Sequence, residues 1–360
     1  MKILLSIEHP AWAHQFRYVI HELESLGHDI KVVAINKDHD LELLDKFKIP
    51  YEVISDSSGE NTLEKGLIFL KTTLKIFIIA RKFHPDLFLG RSSPMMAINS
   101  ALLRKPHIVF EDSEKSIFSL TLCKLCSSVI ITPMCFNLNL GRKHIRIKSF
   151  KELFYLHPNY FKPDSGILGV INSTIKQKII LLRLVAWKAH HDIGQSGIID
   201  KLMVIKKLEP FGKIYISSEN VPDSELQKYI LNSTFEQIHD VLSYSDLFFS
   251  DSQTMTTEAA VLGVPAIRCN SFVGTKDMAN FIELEKKYGL IYNFSDIGEA
   301  LEKALEILNK SDIKEEWERK RQNFLKDQID IVKFMIWFVE DYPNSFSKMK
   351  RDPDYQDIFK

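Results

Sequence analysis

The chain has 360 residues, 45% hydrophobic and 26% charged, enough for two or three domains with their own cores; that composition excludes a disordered chain. Its 47 basic and 47 acidic residues cancel, which argues against a general polyanion binder, so nucleic acid is not an expected partner. Sparse cysteines and an opening run, Met1-Lys-Ile-Leu-Leu-Ser, too short for an export signal predict a cytoplasmic protein.

Short apolar runs alternate with helical patterns from the start. Lys2–Ile7 reads as the first strand, followed by a helix from about Ala13 to Leu26 closed by Gly27. Asp29–Ala34, Tyr51–Ile54, Asp86–Gly90, His107–Phe110 and Ser128–Thr132 read as further strands. Continuous apolar strands separated by helices predict a parallel sheet covered on both faces. Leu67–Phe83 is apolar but interrupted by Lys71, Lys75, Arg81 and Lys82, so it does not span a membrane. It is expected to be an amphipathic core helix; the alternative is a helix resting on an anionic membrane surface. Cys123-Lys-Leu-Cys126 lies in an apolar helical stretch with no second ligand pair, so helix packing is the expected role and no metal site is expected.

His157–Asp164, with Pro158 and Pro163, breaks the pattern and reads as a linker. The alternation then resumes, with strands expected at Ile179–Ala186, Lys213–Ser217, Leu247–Ser250, Ala266–Cys269 and Leu290–Tyr292. Residues from about Ile313 to Asp341 are helical, first charged and then aromatic. The expected organisation is two doubly wound Rossmann-like α/β domains facing across a cleft, 1–160 and 161–330. A tail, 331–360, is expected to pack back on the first. No repeat is visible.

In open parallel sheets ligands bind beyond the carboxyl ends of the strands, so the loops that follow strands hold the candidate residues. After the first strand, Glu8-His9-Pro10-Ala11-Trp12-Ala13-His14 is not a GxGxxG motif, and His14 near a helix start is a candidate general base or a surface histidine. Gly90-Arg91-Ser92-Ser93-Pro94 offers Arg91 and Ser92 to an anion or acceptor, or is a plain helix cap. Glu111, Asp112 and Glu114 end another strand; three neighbouring carboxyls repel, raising a pKa toward acid–base use, or are simply solvated. In the second half Trp187-Lys188-Ala189-His190-His191-Asp192 joins cation, imidazole and carboxylate in a loop suited to a diphosphate or a sugar.

The densest signal is SDSQTMTTEAAVLGVPAI, residues 250–267. A helix N-terminus and the hydroxyls of Ser252, Thr254, Thr256 and Thr257 suit a phosphate, and Glu258 can accept from a ribose diol. Gly263 ends the helix and Pro265 leads into the next strand.

This stretch resembles the nucleotide-sugar signature of GT-B enzymes, closest to that of the non-hydrolysing UDP-GlcNAc 2-epimerases: Asp251, Ser252, Glu258, Ala259, Gly263 and Pro265 match, with Gln253 and Thr254 in place of two glycines. GRSSPMMAINSALLRKPHIVFED is similar to the epimerase stretch from GDT to HVEAG, and LVAWKAHHD stands at the HRREN loop. The opening thirty residues resemble GlcNAc transferases of peptidoglycan synthesis, with His14 near their GGH histidine. LHPNYFKPD and HDIGQ, with that opening, resemble an uncharacterised prokaryotic family, domain of unknown function family 354. Arg91 replaces the GDT aspartate. Glu111 fits the HVEAG glutamate, and no acid stands near Leu125 where the epimerases have their next catalytic glutamate.

The resemblance implies a metal-independent glycosyltransferase that uses a nucleotide sugar, a UDP-sugar, as substrate and needs no cofactor, with an isomerase or hydrolase of nucleotide sugars and a non-catalytic binding protein as alternatives. Lys188, His191, Ser252, Thr254, Thr256 and Glu258 would hold the donor. His14, Glu111 and His190 would serve catalysis. A glycan or lipid-linked acceptor, and peripheral contact with the inner membrane face, are compatible partners.

Overall fold

A computed structural model describes residues 1–36, 40–56, 62–174, 176–185, 197–198, 200–218, 224–274 and 277–360. The chain divides into two compact units: Met1–Tyr160 joined with Asp327–Lys360, and Phe161–Lys326 between them.

The first unit contains β1 (Lys2–Ile7), α1 (Pro10–Ser25), β2 (Asp29–Ile35), α2 (Asp40–Lys46), β3 (Tyr51–Ser55), α3 (Thr62–Phe83), β4 (Leu87–Arg91), α4 (Pro94–Leu103), β5 (His107–Phe110), α5 (Ile117–Cys126), β6 (Val129–Pro133), β7 (His144–Ile147) and α6 (Leu153–Leu156). The strands form one parallel sheet, ordered β3-β2-β1-β4-β5-β6-β7. Ile3, Leu4, Leu5, Phe88, Leu89, Ile108, Val109 and Phe110 are fully buried, as strands covered on both faces require. The strand β7 was not expected: HIRI is an edge strand with a half-exposed arginine at its centre, a pattern too short and too polar to stand out.

The second unit contains α7 (Ile167–Val170), β8 (Ile179–Leu184), α8 (Lys201–Leu208), β9 (Lys213–Ser218), α9 (Ile238–Ser243), β10 (Leu247–Ser250), α10 (Thr254–Leu262), β11 (Ala266–Cys269), α11 (Ala279–Lys286), β12 (Ile291–Phe294), α12 (Ile297–Asn309) and α13 (Ile313–Asp327). Its parallel sheet runs β12-β11-β10-β8-β9. The tail continues with α14 (Ile331–Glu340) and α15 (Asn344–Arg351) in the first unit, where Phe334, Met335 and Phe338 are fully buried. The helical stretch to Asp341 is two helices separated at Gln328–Asp330, where Asp330 caps α14 by accepting from the Lys333 amide at 3.1 Å. Asp330 also accepts from Tyr160 Oη at 2.9 Å and from Asn159 Nδ2 at 2.8 Å, so it ties together the two places where the chain leaves and re-enters this unit.

The strand order reverses at one point in each sheet. In the first, β1 has β2 on one side and β4 on the other; in the second, β8 lies between β9 and β10. Crevices for ligands open at the carboxyl ends of such pairs. Ser252 and Arg91 stand at the ends of β10 and β4, which bound these two points.

Candidate functional site

In the second unit the reversal point is bounded by β8 and β10. Asp251, just beyond β10, accepts from the Val185 amide at 2.9 Å and from the Ile198 amide at 3.3 Å. One buried carboxylate thus binds both flanks of the segment that carries Lys188, His190 and His191; those three residues lie outside the described residues. Asn270 Nδ2 donates to the Asp251 carbonyl at 3.0 Å, fixing its backbone from the β11 side. Ser250 Oγ donates to the Arg183 carbonyl at 3.0 Å and accepts from the Ser252 amide at 2.7 Å, which makes the sharp turn into α10.

The helix α10 is buried on every side except near its start, because Ala259 and Ala260 let it lie close to the sheet. Its end is forced: Gly263 has φ of +77°, and a Cβ there would stand 2.7 Å from Arg321 Cδ. The four expected hydroxyls separate into two pairs. Thr256 Oγ1 donates to the Ser252 carbonyl at 2.6 Å and Thr257 Oγ1 to the Thr254 carbonyl at 2.8 Å, and both residues are buried. Their protons stabilise the first turn of the helix; Thr256, expected to hold the donor, is buried with its proton on the Ser252 carbonyl. Ser252 Oγ accepts from the Met255 amide at 3.4 Å, which leaves its own proton for another acceptor, and Thr254 is half-buried beside it. Ser252 and Thr254 are the two hydroxyl residues at the helix N-terminus, the position that would suit a phosphate.

Glu258 is one turn further on, with Oε1 at 3.2 Å from Nε2 of the buried His239 on α9. His239 packs edge-on to Phe161, ring centroids 6.2 Å apart. Sequence reading passed over His239 because nothing within its own segment marks it; only the fold brings α9 to α10. Arg268 was missed for the same reason. It lies opposite Ser250 in the β10–β11 register, is fully buried, pairs with Asp277 through Nη2 and stacks on Phe281 with Cζ 3.6 Å from the ring centroid. Its Nε and Nη1 have no hydrogen-bond partner among the described residues. Burial pulls its pKa below the ordinary value, against the opposing pull of Asp277.

In the first unit the reversal point lies between β1 and β4. Arg91 at the end of β4 pairs through Nη2 with Glu111, lies 2.6 Å from Asp112 Oδ1, and donates from Nη1 to Gln15 Oε1 at 3.2 Å. Ser92 Oγ donates to Glu111 Oε2, and the amides of Asp112 and Ser113 donate to Glu111 Oε1, both at 2.9 Å. Lys151 Nζ adds a second cation, 3.1 Å from Asp112 Oδ2 and 3.5 Å from Glu152 Oε1.

The expected mutual repulsion of carboxyls is corrected accordingly. Burial alone would raise the Asp112 pKa, but Arg91 and Lys151 outweigh it and hold the carboxyl well below the usual range. Arg91 and Ser92, expected at an anion or acceptor, are engaged with these carboxylates. Glu111, expected to serve catalysis, is held by a cation, a hydroxyl and two amides.

His14 is the fifth residue of α1, near its start. His9 caps α1, its Nδ1 accepting from the Ala11 amide at 3.2 Å, and His14 is buried one turn later between Phe47 and Tyr155, ring centroids at 5.2 and 5.6 Å. The spacing of Ala13, His14, Phe16, Val19, Ile20 and Leu23 puts it on the core face. The group that does stand at the reversal point is Glu8, at the end of β1. Its pKa is raised by burial, partly offset by the hydroxyls of Ser93 and Ser6, and its Oε1 has no hydrogen-bond partner among the described residues. Among the described residues no group of three or more His, Cys, Asp or Glu is placed to hold a metal ion.

Solved structures with this architecture are numerous. The UDP co-structure of MnaA from S. aureus has a TM-score of 0.66 at 13% identity, covering 96% of this chain and 97% of that one. The UDP-GlcNAc 2-epimerase of Methanocaldococcus jannaschii gives 0.61 at 16% identity, covering 86% and 94%. The glycosyltransferase SsfS6 of Streptomyces sp. SF2575, complexed with thymidine diphosphate, gives 0.60 at 13% identity, covering 93% and 99%. At such identities the likeness is one of fold, two parallel-sheet Rossmann-like units of GT-B type. No curated protein matches the sequence. The family described as Protein of unknown function (DUF354) matches residues 1–341, and the chain belongs to that family.

Proposed function

We propose that the protein is a glycosyltransferase that takes a nucleoside-diphosphate sugar, a UDP-sugar, as donor. The observation that carries this reading is the turn from β10 into α10. Asp251 braces the crevice, the helix start presents Ser252 and Thr254, and Glu258 is held by His239 one turn further on. A helix N-terminus with two hydroxyls suits a diphosphate, and an oriented carboxylate suits a ribose diol. The neighbours support it, since one is a UDP co-structure and another is complexed with thymidine diphosphate. Lys188 and His190 would stabilise the leaving diphosphate in this reading.

On the acceptor side, Glu8 is the group we assign to deprotonation of the acceptor hydroxyl. Burial raises the pKa of this carboxyl, which makes it a stronger base than an ordinary exposed carboxylate. Isomerisation at the sugar is the second reading, favoured by the epimerase neighbours. It needs two mobile acid–base groups, and the engagement of Glu111 with Arg91, Ser92 and two amides weighs against it. The two readings differ in solvent exchange: an isomerase working through C2 leaves deuterium from heavy water on the recovered sugar nucleotide, and a transferase does not.

The binding claim is tested by thermal shift with UDP, GDP, CMP, ADP and UDP-GlcNAc on wild type and Glu258→Ala. A ligand at about 100 times its Kd adds about 2.7 kcal/mol, which for a unit of this size is an upward shift of about 5–10 °C. A UDP-selective shift lost in the variant is the expected result. No shift with any nucleotide removes the reading.

A further inference from the structure

We infer that the face formed by α3, α4 and α5 docks on an anionic lipid bilayer, lying flat on it without crossing it. The helix α3 is apolar on two opposite sides. Ile76, Ile79 and Ala80 face the core with Phe88 and Met96. Leu63, Leu67, Leu70, Leu74 and Ile78, spaced by three and four residues, share the opposite side and are 47% to 83% exposed. A helix apolar all round is ordinarily covered on both sides. Its neighbours continue the outer surface: α3 packs beside α4 and α4 beside α5, with Leu102 on α4 and Ile117, Phe118 and Leu125 on α5 exposed.

Charge identifies the occupant. The helix α3 carries Lys65, Lys71, Lys75, Arg81 and Lys82 against a single acid, Glu64, while α4 has no charged residue and α5 only Lys124. Lys71, Lys75 and Lys82 form a ridge along one flank of the leucine stripe. Beside it lies a groove of about 540 Å³, lined by that ridge, Leu74, Ile78 and Lys31, the last paired with Glu52 at 2.7 Å. A chain whose net charge is zero thus presents one face that is apolar and basic together. An anionic bilayer supplies both complements, acyl chains for the leucines and phosphates for the ridge. A second copy would supply only the first, since isologous pairing brings basic ridge against basic ridge. Twenty-two residues reach about 33 Å, and among the described residues no helix is long and apolar enough to cross a membrane, so α3 lies in the interfacial plane.

The inference goes beyond the proposed activity and is read without any substrate, so either can fail alone. The experiment is flotation of the full chain with vesicles of phosphatidylcholine alone or mixed with phosphatidylglycerol, at low and high salt. The protein is expected to float with the mixed vesicles at low salt, and much less with phosphatidylcholine alone or at high salt. Lys71→Ala with Lys75→Ala and Lys82→Ala should weaken binding to mixed vesicles by about a hundredfold. Leu67→Ser with Leu70→Ser and Leu74→Ser should abolish it at unchanged circular dichroism, because these side chains support no core. Failure to float at low salt, or flotation unaffected by the leucine changes, overturns the inference. So does a wild-type dimer that the leucine changes convert to monomer without any vesicle binding, which would mean that a second copy covers the face.

Discussion

Replacing Arg91 with methionine isolates the electrostatics of the first unit. Glu111 and Asp112 are 2% and 6% exposed, and Arg91 itself is 7% exposed. Removing one member of a buried ion-pair network leaves uncompensated charge behind and costs about 3–5 kcal/mol. Lys151 still faces Asp112, so the loss should fall toward the lower end of that range. For a unit of roughly two hundred residues this is a fall in Tm of about 6–20 °C. The pH dependence gives a second readout. In wild type the folded-state pKa of Asp112 lies below its unfolded value of about 3.9. Its contribution is present above that value and is lost as pH falls through the folded pKa. In Arg91→Met burial pushes the same carboxyl upward, so acid relieves the variant first. The stability gap should therefore narrow between pH 7.5 and about pH 4. Urea titrations followed by circular dichroism at several pH values measure it. A loss below about 1 kcal/mol at pH 7.5, the scale of an exposed pair, or a gap that widens on acidification, would refute the reasoning.

Other consequences are equally open to measurement. His107 is fully buried, and burial pulls its pKa down to about 3. Between pH 6.5 and about 3 the unfolded chain binds the extra proton, so wild-type stability should fall with pH at up to about 1.4 kcal/mol per unit from this group, and His107→Leu should flatten that slope in urea titrations. His239→Ala should raise the Kd for UDP about tenfold to a hundredfold, the worth of a hydrogen bond to a charged group, and lower Tm without ligand, because the buried Glu258 loses this partner; equal calorimetric affinities would detach His239 from nucleotide binding. Gly263→Ala should cost about 1–2 kcal/mol through its positive φ, and Arg321→Ala should recover only the part due to the Cδ contact. Glu8→Gln should lower kcat by at least about a hundredfold and leave UDP binding intact; unchanged turnover would remove it as the base.

The strands were legible because parallel strands buried on both faces are unbroken apolar runs: ILLSI, LFLG, HIVF, VIIT and LFFS all stand out from polar surroundings. The turn into α10 was legible because hydroxyls, a glutamate and a stop at Gly263 sit within one short stretch. Residues that act across the sheet were not. Arg91 and Lys151 meet Asp112 from about twenty and forty positions away, so local reading saw repelling carboxyls where the fold assembles an ion-pair network. Glu8, His239 and Arg268 carry no local pattern and acquire meaning only from the strand order. His14 and Thr256 do lie in the first turns of their helices, but only the helical phase shows that both are buried. The second apolar side of α3 was visible as excess leucine, but only the packing of Ile76 and Ile79 shows which leucines are left over.

The tie that Asp330 makes to Tyr160 and Asn159 bears on how the chain is synthesised and folds. The second unit is continuous in sequence, whereas the first is assembled from residues 1–160 and 327–360 with the other inserted between them. During translation the nascent first unit must wait for its last helices, holding α1 and α6 without the α14 that packs on them, while the inserted unit closes on its own from contacts within one stretch. Truncation before Ile331 should therefore impair the first unit selectively, and residues 161–326 should remain able to fold as an isolated fragment.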